Sequence, residues 1–313
     1  MFEERKINPE LLKQYREQGY WKNETLLDCW ERAAAQYPDR EYVVDDRGYR
    51  YTYRELDEAA GRVASYLMEL GIRPGEVVSY QFPIWSEFAM LTIACYKVGA
   101  VAHPIAMSYE EKELARSLNV TESRCYFGPT YFYKTDYEER ILAVRDQTPL
   151  LKDIVLIDSV KPAKSSVRLL REILASYEPL PKEQCVHTKN GQDIAVILCT
   201  SGTTGGTKGV LLSHDNVRFA EEAFNRELGL TKEDIMFMPA PLHHATGFHH
   251  AIIAPMLYGG KVVLQQKYQC RAAIDLMNRE KVTYSMGATP FIYDILRELD
   301  ANGGGLPTLK FYL

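Results

Sequence analysis

The twelve residues Cys199-Thr-Ser-Gly-Thr-Thr-Gly-Gly-Thr-Lys-Gly-Val210 hold four glycines, four threonines, a serine and a lysine, and they directly follow the apolar run Ile194-Ala-Val-Ile-Leu198. A short apolar run closed by turn residues reads as a buried strand. A Gly/Ser/Thr loop behind it offers backbone N–H groups and hydroxyls as donors, and its glycines let the main chain come close to a ligand. That is phosphate chemistry, and Lys208 adds a charge able to reach phosphate oxygens. A flexible turn of the same composition is the alternative reading. A Walker A loop requires Gly-x4-Gly-Lys-Ser/Thr. Here Thr207 stands five residues after Gly202, and Lys208 is followed by Gly209, so the loop is not of that type.

Outward from the loop, short apolar runs alternate with amphipathic ones. Val77–Phe82 precedes a helix-like Trp85–Val98, and Ala100–Ile105 precedes Glu110–Leu118. The rhythm returns with Ile194–Leu198, Ile235–Met238, Lys261–Leu264 and Val282–Met286, each read as leading into a helix-like segment. Strands alternating with helices predict a parallel sheet covered on both faces. Thr52-Tyr-Arg-Glu55 has the form of a capping box, and Leu56, Ala60, Val63, Leu67 and Leu70 follow at helical spacing up to Gly71. Ser159–Gln192, rich in Lys, Pro, Ser and Glu, reads as a surface connection between α/β subdomains at about residues 40–158 and 193–313.

With 313 residues, 46% hydrophobic and 25% charged, the composition is that of a globular chain. A net charge of −5 argues against a general nucleic-acid binder. Six scattered cysteines without a CxxC pair fit thiols in a reducing compartment, so a cytoplasmic location is expected. The charged start, Met1-Phe-Glu-Glu-Arg-Lys6, carries no apolar signal core, and the longest apolar window, Phe88–Met107, is broken by Lys97 and Pro104. No membrane span is expected.

The order Thr-Ser-Gly-Thr-Thr-Gly-x-x-Lys-Gly, Thr200 to Gly209, resembles the signature of the adenylate-forming (AMP-dependent synthetase/ligase) superfamily, which includes acyl- and aryl-CoA synthetases, firefly luciferases and peptide-synthetase adenylation domains. Tyr51–Leu56 and Tyr96–Pro104 look like its upstream motifs, and Leu211-Leu-Ser-His-Asp-Asn-Val217 looks like the start of its next helix. Pro241-Leu-His-His-Ala-Thr-Gly247 resembles its Pro-x-aromatic-His-x-x-Gly segment, with His244 on the histidine position. Gln14–Trp21 and Thr25–Arg40 are similar to the opening of aryl- and alicyclic-carboxylate ligases such as dihydroxybenzoate-AMP and cyclohexanecarboxylate-CoA ligases. One position departs: Thr207 stands where the family usually has proline.

The resemblance implies an α/β fold of two adjacent doubly wound subdomains and a two-step ligation. A carboxylate attacks Mg-ATP to give an acyl-adenylate and pyrophosphate, and a thiol, usually that of coenzyme A, then takes the acyl group. Thr200, Ser201, Gly202, Thr203, Thr204, Gly205 and Lys208 would hold the phosphates, His244 would lie beside the substrate carboxylate, and Phe248 would be a wall of the acyl pocket. Lys208 and His244 carry the catalytic roles in this reading. Phe248, Met286 and Ala288 suggest an apolar acyl or ring group of modest size.

His243, His244, His249 and His250 fall within eight residues, yet without H-E-x-x-H spacing, a nearby Cys or a carboxylate close in sequence, so no metal site is expected. Adjacent histidines are expected to diverge, and His103 and His214 read as structural. The family's adenine- and ribose-binding motifs and its small mobile C-terminal domain have no match in the sequence. The chain therefore reads as the N-terminal part of a ligase, expected to be inactive alone. A non-catalytic carboxylate- or phosphate-binding module completed by a partner chain is the alternative, and an unrelated NTPase is disfavoured by the absent Walker motifs.

Overall fold

The computed structural model describes residues 8–200 and 208–313. It divides into two compact units that interleave along the sequence: Met1–Asp28, Glu58–Phe82 and Leu91–Phe219 form the first, and Cys29–Asp57, Pro83–Met90 and Ala220–Leu313 form the second.

The first unit is built on a seven-stranded sheet in the order Lys208–Ser213, Ile194–Thr200, Val101–Pro104, Val77–Tyr80, Cys125–Pro129, Asp153–Ile157, Arg168–Leu169. All neighbours are parallel except the first pair. From Val77–Tyr80 the chain steps to one side, crosses to the other for three strands, and returns with Ile194–Thr200, which makes the sheet doubly wound. The strands Val77–Tyr80, Val101–Pro104 and Cys125–Pro129 are buried at every residue, as parallel strands covered on both faces must be. Ile105, Leu114, Leu118, Tyr126, Ile141 and Ile154 pack one part of this core.

The second unit holds a six-stranded sheet in the order Phe311–Tyr312, Tyr284–Ser285, Ile235–Met238, Lys261–Leu264, Glu41–Asp45, Arg50–Thr52. Only its last pair is antiparallel. The capping box is present as read: Thr52 N–H donates to Glu55 Oε2 at 2.8 Å, Glu55 N–H returns to Thr52 Oγ1 at 3.1 Å, and the helix Tyr53–Glu69 starts there. Trp30 and Trp85 are both fully buried, the first stacked on Tyr53 at 5.3 Å and the second under the Arg47 guanidinium at 4.2 Å.

One segment differs from the sequence reading. The strand before the glycine loop, Ile194–Thr200, leads not to a helix but to an edge partner, Lys208–Ser213, which pairs antiparallel with it from Thr200↔Lys208 to Ile194↔Ser213. Leu211 and Leu212 belong to that strand, and the helix starts at His214, with Asn216 N–H donating to Ser213 Oγ at 3.2 Å as an N-terminal cap.

A charge cluster in the second unit predicts acid behaviour. Glu280 accepts from Arg50 at 2.9 Å and from Lys261 at 2.8 Å, and Lys261 also reaches Glu41 at 2.6 Å. The Arg50 hydrogen bond, aided by Lys261 and opposed by burial, pulls the Glu280 carboxyl down to about 2. A depressed carboxyl stabilises the fold above its unfolded value and loses that contribution as pH falls. Glu280→Gln is therefore expected to be less stable than the parent at pH 7, with the difference closing between about pH 4.5 and pH 2; urea midpoints measured across that range check it.

Candidate active site

Thr200 ends the strand Ile194–Thr200 at the carboxyl edge of the parallel sheet, where open α/β sheets bind their ligands. Lys208 opens the antiparallel partner directly opposite, and Thr200 Oγ1 lies 3.5 Å from the Lys208 carbonyl. The ladder thus fixes both ends of the glycine-rich link. Ser201, Gly202, Thr203, Thr204 and Gly205 lie outside the described residues. Thr200 and Lys208 are exposed, and among the described residues the Lys208 ammonium has no hydrogen-bond or ion-pair partner. An unpaired cation at a strand end held in register by the ladder suits an anionic ligand.

Beneath this edge a buried polar chain secures the strand. Ser123 Oγ donates to Ser79 Oγ at 2.7 Å, Ser79 Oγ meets His103 Nδ1 at 2.7 Å, and His103 Nε2 lies 3.3 Å from Ser117 Oγ and 3.7 Å from Cys199 Sγ. Complete burial pushes the His103 imidazole down to about 3, so it stays neutral and shares these hydrogen bonds without a charge.

The second unit carries the histidine-rich segment. Gly247 closes its turn tightly: a Cβ there would lie 2.3 Å from the Pro241 carbonyl oxygen, so only glycine fits. His244 N–H bonds back to the Pro241 carbonyl at 3.2 Å, and Phe248 N–H to the His244 carbonyl at 2.8 Å. His244 is exposed at the start of this turn, its ring centroid 4.5 Å from that of half-buried His243. Burial, with His244 beside it, pushes His243 down to about 4. Phe248 is fully buried, its ring edge-on to Phe88 at 6.4 Å.

From Phe248 the chain winds as a π-helix to Ile253, a rare geometry frequent at functional sites. His249 and His250 do not diverge as expected. Both direct Nδ1 at one carboxylate, His249 at Glu221 Oε1 and His250 at Glu221 Oε2, each at 3.0 Å. Two carboxylate oxygens give adjacent imidazoles one partner, a solution outside the sequence argument because Glu221 lies on another helix, His214–Glu227. Burial alone would raise the Glu221 carboxyl, but the two imidazole donors pull it below its ordinary value, so it is ionised near neutrality. An ionised carboxylate only accepts, so both imidazoles carry their proton on Nδ1. Histidine ¹⁵N NMR is expected to show a protonated Nδ1 in both His249 and His250. Glu221→Ala, which strips both donors of their acceptor, is expected to cost about 1–3 kcal/mol in urea unfolding. Among the described residues no group of three or more His, Cys, Asp or Glu side chains is arranged to hold a metal ion.

A model of one family, AMP-binding enzyme, matches residues 30–312. This chain belongs to the AMP-binding enzyme family. It is 40% identical over 299 residues to an Escherichia coli medium-chain fatty-acid–CoA ligase, covering 96% of this chain and 52% of that protein. A Bacillus subtilis 2,3-dihydroxybenzoate-AMP ligase is 27% identical over 282 residues, covering 90% and 50%. The chain thus spans about half the length of the curated relatives it matches. The fold agrees with that of an anthranilate CoA ligase solved with anthranoyl-AMP, at a TM-score of 0.84 and 22% identity, covering 92% of this chain and 54% of that one. A Mycobacterium tuberculosis fatty acyl CoA synthetase gives a TM-score of 0.80 at 21% identity, covering 92% and 54%. Among the described residues of this family member no helix is long and apolar enough to cross a membrane.

Proposed function

We propose that this family member serves an AMP-forming carboxylate ligase, in which a carboxylic acid is activated with Mg-ATP to an acyl-adenylate and then passed to the thiol of coenzyme A. The observation that carries this reading is the Thr200–Lys208 pair at the carboxyl edge of the sheet, with an unpaired ammonium among the described residues, in a chain of the AMP-binding family. In the first step the carboxylate oxygen bonds to the α-phosphorus and pyrophosphate leaves. In the second the thiolate sulfur bonds to the acyl carbon and AMP leaves.

Thr200, Ser201, Gly202, Thr203, Thr204, Gly205 and Lys208 are assigned to the β- and γ-phosphates, where preorganised donors stabilise the charge that develops on departing pyrophosphate. Magnesium is assigned to the nucleotide's own phosphates, the usual mode for this ion and one that needs no protein cage. His244, exposed on its glycine-closed turn, is assigned to the substrate carboxylate, and Phe248 to the apolar side of the acyl site. The acid favoured is a medium-chain fatty acid, the substrate named for the relative at 40% identity. A cytoplasmic location fits six cysteines that are all free.

Carboxylate-dependent pyrophosphate exchange by the gene's complete product tests the reading, with octanoate, decanoate, benzoate and cyclohexanecarboxylate as the panel. Exchange with octanoate or decanoate above the ring acids is the expected result. No exchange with any of the four, from protein that is folded, would overturn it.

A further inference from the structure

The first unit contains a cavity of about 360 Å³ that the proposed ligation does not use. It sits at the opposite end of the sheet from the glycine loop. Ile194 lines it and Thr200 carries the loop, and these are the two ends of one seven-residue strand, about 20 Å apart at ~3.3 Å per residue. The volume falls within the ~300–1,000 Å³ usual for small-molecule sites.

Leu27, Val101 and Val186 give the cavity an apolar wall. His214 faces it while only 9% exposed. Leu26 N–H donates to His214 Nδ1 at 3.1 Å, so that nitrogen holds the lone pair. Burial pushes the imidazole down to about 4, leaving the ring neutral with its single proton on Nε2. Among the described residues that Nε2–H has no acceptor. At the wall of the cavity, that donor is left to solvent or to the acceptor of a bound molecule. Next to it stands Asp193, the residue before the strand Ile194–Thr200, whose backbone carbonyl accepts from His214 N–H at 3.1 Å. Asp193 is the one charged side chain among the lining residues. Its carboxylate accepts from Asn190 through Oδ1 at 2.7 Å, and Oδ2 remains available for a further donor. The Tyr96 ring, which also lines the cavity, meets His214 edge-on at 5.4 Å.

A donor and an acceptor side by side, an aromatic edge and an apolar wall select for a particular chemistry. We propose that this cavity binds a compact, uncharged molecule combining an apolar ring with adjacent hydrogen-bond donor and acceptor groups, as in a primary aromatic amide or an amino-heterocycle. The ligand's acceptor takes the His214 Nε2–H and its donor reaches the Asp193 carboxylate. Anions are refused, because Asp193 would meet them with like charge in a confined site.

Nicotinamide and nicotinate, which differ mainly in this charge, are suitable probes. The readout is the His214 imidazole resonance of the purified protein at pH 7, assigned with His214→Gln. Nicotinamide is expected to shift it saturably with a Kd of about 1–10 mM, the range open to so small a ligand, and nicotinate at least about tenfold more weakly. Thr188→Phe, which fills the cavity from its rim, is expected to abolish the nicotinamide shift while the unliganded His214 resonance persists. Asp193→Asn keeps the shape and removes the charge, and is expected to bring the two probes within about threefold of each other. An unmoved His214 resonance at about 50 mM nicotinamide would overturn the proposal, a concentration several times the weakest Kd expected. So would a nicotinamide shift that survives in folded Thr188→Phe, or discrimination against nicotinate undiminished in Asp193→Asn.

Discussion

Replacing Lys208 by alanine is expected to lower pyrophosphate exchange by the gene's complete product about 10²–10³-fold, the loss usual for one preorganised charge-stabilising donor. The Lys208 side chain is exposed and has no partner among the described residues, so its removal takes nothing from the folded core. Its backbone is held by the ladder opposite Thr200, which alanine preserves. Stability should therefore stay within about 0.5 kcal/mol of the parent while activity collapses. Exchange kinetics and a urea melt on the same preparation check both halves. Exchange at the parental rate would reduce the glycine-rich segment to a turn.

Arg218→Met is expected to destabilise the first unit strongly. The Arg218 and Asp215 side chains are both fully buried, with Arg218 Nη2 3.0 Å from Asp215 Oδ1 and 2.8 Å from the Tyr20 carbonyl oxygen. Asp215 Oδ1 also accepts from Lys22 N–H at 3.1 Å, so the pair ties the N-terminal segment to the helix that begins at His214. Removing one partner of a buried pair strands the other charge, at about 3–5 kcal/mol. Urea unfolding should show that loss in Arg218→Met and a partial recovery in Asp215→Asn/Arg218→Met, where no full charge is left behind. A single variant within about 1 kcal/mol of the parent would mean that Asp215 is solvated or paired elsewhere.

Elements governed by local chemistry were legible in the sequence. The capping box at Thr52 and Glu55 sits where its spacing put it, and Ile235–Met238 and Lys261–Leu264 are strands at the residues read. Val210-Leu-Leu212 was not legible, because so short an apolar run is equally good as a strand or as the approach to a helix, and pairing with Ile194–Thr200 decides it. Interleaving of the two units depends on long-range partners such as Val43 with Val262, which no local pattern announces. Glu221 did leave a trace. His214, Arg218, Glu221 and Asn225 recur at spacings of four, three and four along one helix, and all are buried. Polar residues on the stripe where apolar ones belong imply buried partners, although the sequence does not say that His249 and His250 are among them.

The antiparallel rung that joins Thr200 to Lys208 also decides which changes of length the site can absorb. Because Thr200 and Lys208 face each other on that rung, the strand pairing sets where the lysine stands. The number of residues in Gly209–Leu212 is part of that pairing. One residue added or removed there would shift the lysine by about 3.3 Å and turn it to the opposite face of the sheet. The charge is placed by counting along a strand, from a register that the pairing with Ile194–Thr200 holds.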